Sequence, residues 1–119
     1  MVFVERDSYC LRLLRENITL LGYTGRAEAV AESVLRAIES LYSSYDLIFM
    51  GPPYKTSSGD MAAHTGPVLE SLAGHKFLKP GGWIVAQTHS TEVFAVPAGL
   101  SMFRQEKYGD SRLSFFQNT

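Results

Sequence analysis

Apolar residues recur at two spacings along this chain, and the two alternate. Val2-Phe3-Val4 is a short strand-like run close to the first residue. Behind it, Leu11, Leu14, Ile18 and Leu21 recur at intervals of three and four, which predicts one apolar face of a helix from about Ser8 to Leu21. Ser8 is placed as its N-cap, and Gly22 stops it where a left-handed residue is wanted. Arg26–Ala31 reads as a weak strand. Ser33–Leu41 reads as a second helix, with Val34, Ile38 and Leu41 on one face. Asp46-Leu-Ile-Phe-Met50 is a continuous apolar run, the signature of a strand covered by helices on both sides.

The second half repeats the alternation. Gly51-Pro52-Pro53-Tyr54 breaks regular structure, since two prolines remove two backbone donors, and Lys55–Gly59 continues as a polar loop. A helix is predicted near Pro67–Ala73, with Pro67 suited to its first turn. Lys79-Pro80-Gly81-Gly82 reads as a turn, Trp83–Thr88 as an apolar strand and Ser90–Gly99 as a loop. Met102–Tyr108 and Ser111–Phe116 flank Gly109-Asp110, the pattern of an antiparallel hairpin. Strands and helices that alternate and close on a hairpin predict an α/β sheet with an antiparallel edge.

Composition narrows the class. The 119 residues suffice for one domain, and no linker, repeat or low-complexity tract marks a second. Eleven Lys and Arg against twelve Asp and Glu give a net charge of −1, which excludes nucleic-acid binding by bulk charge but not by a local patch. A single cysteine, Cys10, excludes an internal disulfide framework and suits a reducing compartment; it falls beside core leucines and is expected to be a small buried residue. No apolar run is long enough to span a bilayer, and the first residues lack the form of a signal peptide. His64, His75 and His89 lack metal-ligand spacing, so no metal is expected. These features point to a cytoplasmic domain with no membrane partner. Lys76, Lys79, Arg104, Lys107 and Arg112 make the second half locally more basic, either as a scatter of surface cations or as contacts to RNA phosphates.

The segment with the strongest chemical content is Asp46-Leu-Ile-Phe-Met-Gly-Pro-Pro-Tyr54. It sets a rigid loop at the carboxyl end of an apolar strand, the edge at which open α/β sheets bind ligands. A proline-stiffened structural turn is the other reading. The segment resembles the Asp/Asn-Pro-Pro-Tyr motif of S-adenosylmethionine-dependent methyltransferases acting on exocyclic amino groups of bases. Over nearly its whole length the chain resembles the 16S ribosomal RNA guanine-N2 methyltransferase family (the RsmD type). The matching blocks are Val2-Phe-Val-Glu-Arg-Asp7, Leu14-Arg-Glu-Asn17, Tyr45–Tyr54, Leu78-Lys-Pro-Gly-Gly-Trp-Ile-Val85 and the closing Phe103-Arg-Gln-Glu-Lys-Tyr-Gly-Asp-Ser-Arg-Leu-Ser-Phe115.

That resemblance implies a Rossmann-like class I methyltransferase sheet, a single methyltransferase-like domain over residues 1–119, and S-adenosylmethionine as cofactor. It implies that Glu5 accepts hydrogen bonds from the ribose hydroxyls, a task suited to a carboxylate; the alternative is a surface acid at a helix start. Glu32 and Ser33 are the nearest matches to the residue that meets the adenine, and either could instead simply begin a helix. The motif residue at position 51 and the Pro52 carbonyl would orient the target amine, and Tyr54 would stack on a base removed from its helix, with Pro53 stiffening the loop. The implied partner is ribosomal RNA or the small ribosomal subunit.

Two departures qualify this. Gly51 stands where the family has Asp or Asn, removing one acceptor, so methyl transfer is expected to be weak or absent. The family's Gly-rich cofactor loop precedes the block that matches Val2–Asp7, so the chain is expected to be a truncated, carboxyl-terminal portion. A strand of the family sheet would then be lacking, to be compensated by closure of its neighbours, by a strand-supplying partner or homo-oligomer, or by further chain. A catalytically inactive methyltransferase-fold binding module and a DNA amino-group methyltransferase are the alternative functions.

Overall fold

A computed structural model describes residues 1–51 and 65–119. The element order is β1 (Val2–Glu5), α1 (Ser8–Leu20), β2 (Glu28–Ala31), α2 (Val34–Ser40), β3 (Tyr45–Met50), α3 (Thr65–His75), β4 (Leu78–His89), β5 (Leu100–Tyr108) and β6 (Ser111–Asn118). Among the described residues the strands form two sheets, β1-β2 and β3-β4-β6-β5, and the chain divides into two compact units, Met1–Leu41 and Tyr42–Thr119.

In the first unit β1 and β2 are parallel, in a register that sets Val2 against Glu28 and Glu5 against Ala31. Helix α1 packs on both strands and α2 on β1. Leu11, Ala37 and Ile38 are its buried apolar residues, while Leu14 and Ile18 are half-buried. Leu21, assigned by spacing to the α1 core face, is exposed because the helix has ended at Leu20; Val34 is exposed as well. The N-cap of α1 is Asp7 rather than Ser8: its extended backbone and carboxylate, which accepts from the Cys10 amide at 2.9 Å, do the capping, and Ser8 is already helical. Gly22 ends the helix at φ +74°, as its position predicts. Cys10 is exposed, not buried: its position puts it on the solvent side of α1, one residue before Leu11.

In the second unit β3 and β4 are parallel, joined through α3, while β6 lies antiparallel between β4 and β5. The β4 ladder starts at Leu78, earlier than the apolar run suggests. Its register against β3 then jumps from Leu78 to Trp83, so Lys79–Gly82 bulge outward and Gly81 turns at φ +79°. Gly82 is required by space: a Cβ there would lie 2.8 Å from the Asp46 carbonyl oxygen and 2.8 Å from Leu78 Cδ1. Gly109 turns the β5–β6 hairpin at φ +58°.

The core of this unit lies on one face of the sheet. Ile84, Ala86 and Phe116 are buried there with Val68, Leu69 and Leu72 of α3 and with Phe77. The expectation that β3 is covered on both sides does not hold among the described residues of this unit. Ile48 and Met50 turn toward the core, but Leu47 and Phe49, which alternate with them, are exposed.

Candidate functional site

The predicted site residues fall in both units. Parallel pairing brings the carboxyl ends of β1 and β2 to one edge, so Glu5, the last residue of β1, and Glu32 and Ser33, which follow β2, share it. Glu5 is half-buried, and its Oε1 accepts from the backbone amides of Arg6 and Asp7, both at 2.9 Å. Two amides on one oxygen fix the carboxylate in a turn of its own making. Its second oxygen makes no hydrogen bond to any described residue.

The same turn leads into α1. The hydrogen bond from the Cys10 amide, and that of the thiol, hold the Asp7 carboxyl below its ordinary value of 3.8. The same carboxylate pushes the exposed Cys10 thiol up, so it stays protonated and is a poor nucleophile. Glu32 is half-buried; its Oε1 accepts from the Ser33 amide at 3.3 Å and lies 4.0 Å from the Arg36 guanidinium. Ser33 is the N-cap residue of α2, with extended backbone, but its hydroxyl makes no capping hydrogen bond.

In the second unit Gly51 follows Met50 at the carboxyl end of β3, the edge that the strand-to-loop pattern predicts. A Cβ at this position would meet Phe49 Cε1 at 3.2 Å and Gln87 Oε1 at 3.7 Å, and its backbone is outside the left-handed region. Pro52, Pro53 and Tyr54 lie outside the described residues.

Three further polar groups stand out here, of which the sequence singled out only Arg112, as one of five cations. Thr88 near the end of β4 and Thr65 at the start of α3 are buried, and neither hydroxyl has a hydrogen-bond partner among the described residues. A buried orphan hydroxyl costs about 1–3 kcal/mol, so such groups need a reason to persist. Nothing in the apolar rhythm of Ile84–Thr88 distinguishes Thr88 from a core residue. Arg112 is the third: its guanidinium donates to the Ser90 carbonyl at 3.3 Å and to the Glu92 carbonyl, and lies 5.8 Å from the Phe94 ring. It ties the loop after β4 to the hairpin. Lys79 pairs with Asp46 at 3.2 Å and Arg104 with Glu106 at 2.9 Å. Three of the five cations of the second half are therefore occupied within the chain.

S-adenosylmethionine can be tested against this geometry. A ribose offers two vicinal hydroxyl donors, and an anchored carboxylate with one oxygen uncommitted fits that demand. Glu32 and Ser33 on the same edge add an acceptor and a hydroxyl. The residues present therefore fit the nucleoside end of that cofactor. No helix among the described residues is long and apolar enough to cross a membrane.

Comparison with known proteins identifies the family and the fold. The model of the family described as conserved hypothetical protein 95 matches residues 1–117. YlbH of Bacillus subtilis, named as a candidate rRNA methyltransferase, is 26% identical over 120 residues, covering 98% of this chain and 62% of YlbH. The chain thus spans about three fifths of that relative's length. A conserved hypothetical protein of Streptococcus pyogenes superposes with a TM-score of 0.83 at 25% identity, over 99% of this chain and 71% of the other. A candidate methylase of Haemophilus influenzae superposes with a TM-score of 0.78 at 20% identity, over 98% and 71%. The fold is thus that of a Rossmann-like class I methyltransferase, α/β in class. The chain belongs to the conserved hypothetical protein 95 family, the RsmD family of methyltransferase-like proteins.

Proposed function

We propose that the chain is a methyltransferase-like protein of the kind that modifies the N2 amino group of a guanine in small-subunit ribosomal RNA, with weak or absent transfer in its present form. The observation that carries the reading is the β1–β2 edge, where Glu5 is held by two amides with an oxygen to spare. S-adenosylmethionine would supply an electrophilic methyl group. Glu5 would accept from its ribose, and Glu32 or Ser33 would meet its adenine. At the end of β3 the Pro52 carbonyl would orient the target amine and Tyr54 would stack on the base, with Pro53 stiffening the loop between them. Gly51 contributes no acceptor to that amine, and the loss of one such hydrogen bond costs on the order of a hundredfold in rate.

The substrate would be ribosomal RNA or a small-subunit particle met in the cytoplasm by a single methyltransferase-like domain over residues 1–119. A homo-oligomer or a strand-supplying partner would complete the sheet. The Gly51 position also favours a second reading, a catalytically inactive module on the same fold.

Calorimetric titration with S-adenosylmethionine, for the wild type and Glu5→Gln, tests the first step. About tenfold weaker binding by the variant is expected. Binding that ignores position 5 removes the role given to it. Tritiated methyl transfer to small-subunit particles separates the two readings. Gly51→Asp is expected to raise the rate on the order of a hundredfold. No gain, with cofactor still bound, favours the inactive module.

A further inference from the structure

On the sheet face opposite α3, strand register sets Leu47 beside Trp83 and Phe49 beside Val85, with Phe115 on the other side of Val85. A one-residue bulge between Met102 and Arg104 adds the Phe103 ring, whose centroid lies 5.2 Å from that of Trp83. Along β4 this apolar row gives way to Gln87 and His89, which alternate onto the same face at the carboxyl edge. Gln87 is half-buried and pairs with Leu113 on β6. On its other side the β3–β4 register, which sets Met50 beside Ala86, continues by one residue to Gly51.

Positions 51 and 87 border one space. Gln87 Oε1 lies 3.7 Å from where a Cβ at position 51 would stand. An Asp oxygen would reach about 2.4 Å from that Cβ, so the carboxamide oxygen adjoins the volume that an acceptor at position 51 would fill. Gln87 is already engaged by another group. A carboxamide carries two acceptor lone pairs and two N–H donors, so one partner does not exhaust it. His89 is no equivalent acceptor. Its Nδ1 accepts from the Thr91 amide at 3.2 Å, which leaves the proton of the neutral ring on Nε2, a donor.

We infer that Gln87 is the side-chain acceptor this chain offers to the target amine of a base, in place of the one missing at position 51. The inference rests on the methyl-transfer reading for the identity of that amine. The amine donates one N–H to Gln87 Oε1, which leaves its lone pair to face the methyl donor. That lone pair forms the nitrogen–carbon bond as the carbon–sulfur bond breaks. The sulfur keeps the bonding pair and the nitrogen releases one proton to water, so Gln87 gains none. Because the oxygen stands on the neighbouring strand, the amine is held but set off the line of transfer. A displacement of about 1 Å costs on the order of a hundredfold in rate, so firm base binding and weak transfer go together.

Guanosine and inosine 5′-monophosphates differ only in the exocyclic amine, so NMR titration of the full chain with each reads this contact without turnover. The wild type is expected to bind the guanosine nucleotide about tenfold more tightly than the inosine one. Gln87→Met, which keeps the length and removes the polar atoms, is expected to bind the two alike. Gln87→Glu is expected to keep the preference, and Gly51→Asp added to Gln87→Met to restore it. Any of four results overturns the inference: no preference, or no measurable binding, in the wild type; a preference that survives Gln87→Met; a preference lost in Gln87→Glu as well, with the circular dichroism unchanged; or no restoration by Gly51→Asp. Failure of the methyl-transfer reading shows elsewhere, as a wild type that does not bind S-adenosylmethionine in calorimetry.

Discussion

A carboxylate introduced at position 51 would enter a space bordered by the Phe49 ring at 3.2 Å from the new Cβ. That ring is exposed and free to turn, and the backbone at Gly51 is one that any L-residue adopts. Gly51→Asp is therefore expected to change stability by less than about 1 kcal/mol, read from thermal unfolding. A larger loss would mean that the glycine is structurally required. Asp7 is another residue with a defined signature. Its carboxyl is held below the ordinary value by the Cys10 amide, so its capping of α1 is complete above about pH 4 and fades as pH falls through the lowered folded value. NMR titration of Asp7 should show a midpoint below 3.8, and Asp7→Ala should remove the corresponding acid-sensitive step in helicity. A midpoint at or above that value would mean that the cap is not formed in solution.

Elements repeat the lesson at longer range. Gly82→Ala would drive a methyl group into the Asp46 carbonyl and Leu78, between two paired strands, and is expected to destabilise by about 1–3 kcal/mol in denaturant melts. Arg112→Ala should leave the hairpin intact but speed amide exchange over residues 90–94, because two carbonyl contacts and the Phe94 ring lose their partner. Most elements were legible from the chain because each carries its own period: Leu11, Leu14 and Ile18 mark α1, and Gly109-Asp110 marks the hairpin. What was not legible depends on distant neighbours. An apolar run such as Leu47–Met50 states that both faces of the strand want cover, but not whether cover is present. Likewise the edge holding Glu5 and Glu32 was legible as two strand ends, whereas the two amides anchoring Glu5 depend on a turn conformation that sequence spacing does not encode.

For the molecule as a whole, the two units differ in what they bury. The four-stranded sheet holds Ile84, Ala86, Ser114 and Phe116 almost free of solvent, whereas every residue of β1 is only half-buried and none of β2 is buried. Two strands alone are marginal in water. Native-state hydrogen exchange should accordingly find the slowest amides in β4 and β6, with β1 and β2 opening at lower free energy. The reverse order would contradict the packing described. The bulge in β5 has a further consequence. Leu100–Met102 pair with residues 116–118 and Arg104–Tyr108 with residues 111–115, so Phe103 is the one residue that the ladder does not need. Removing its codon would leave every other side chain of the hairpin on its present face and opposite its present partner, whereas removing a neighbouring pair-forming residue would shift one against the turn. Pairing alone therefore does not fix the chain length at this position, and what Phe103 adds to the hairpin is its ring against Trp83 and Phe115.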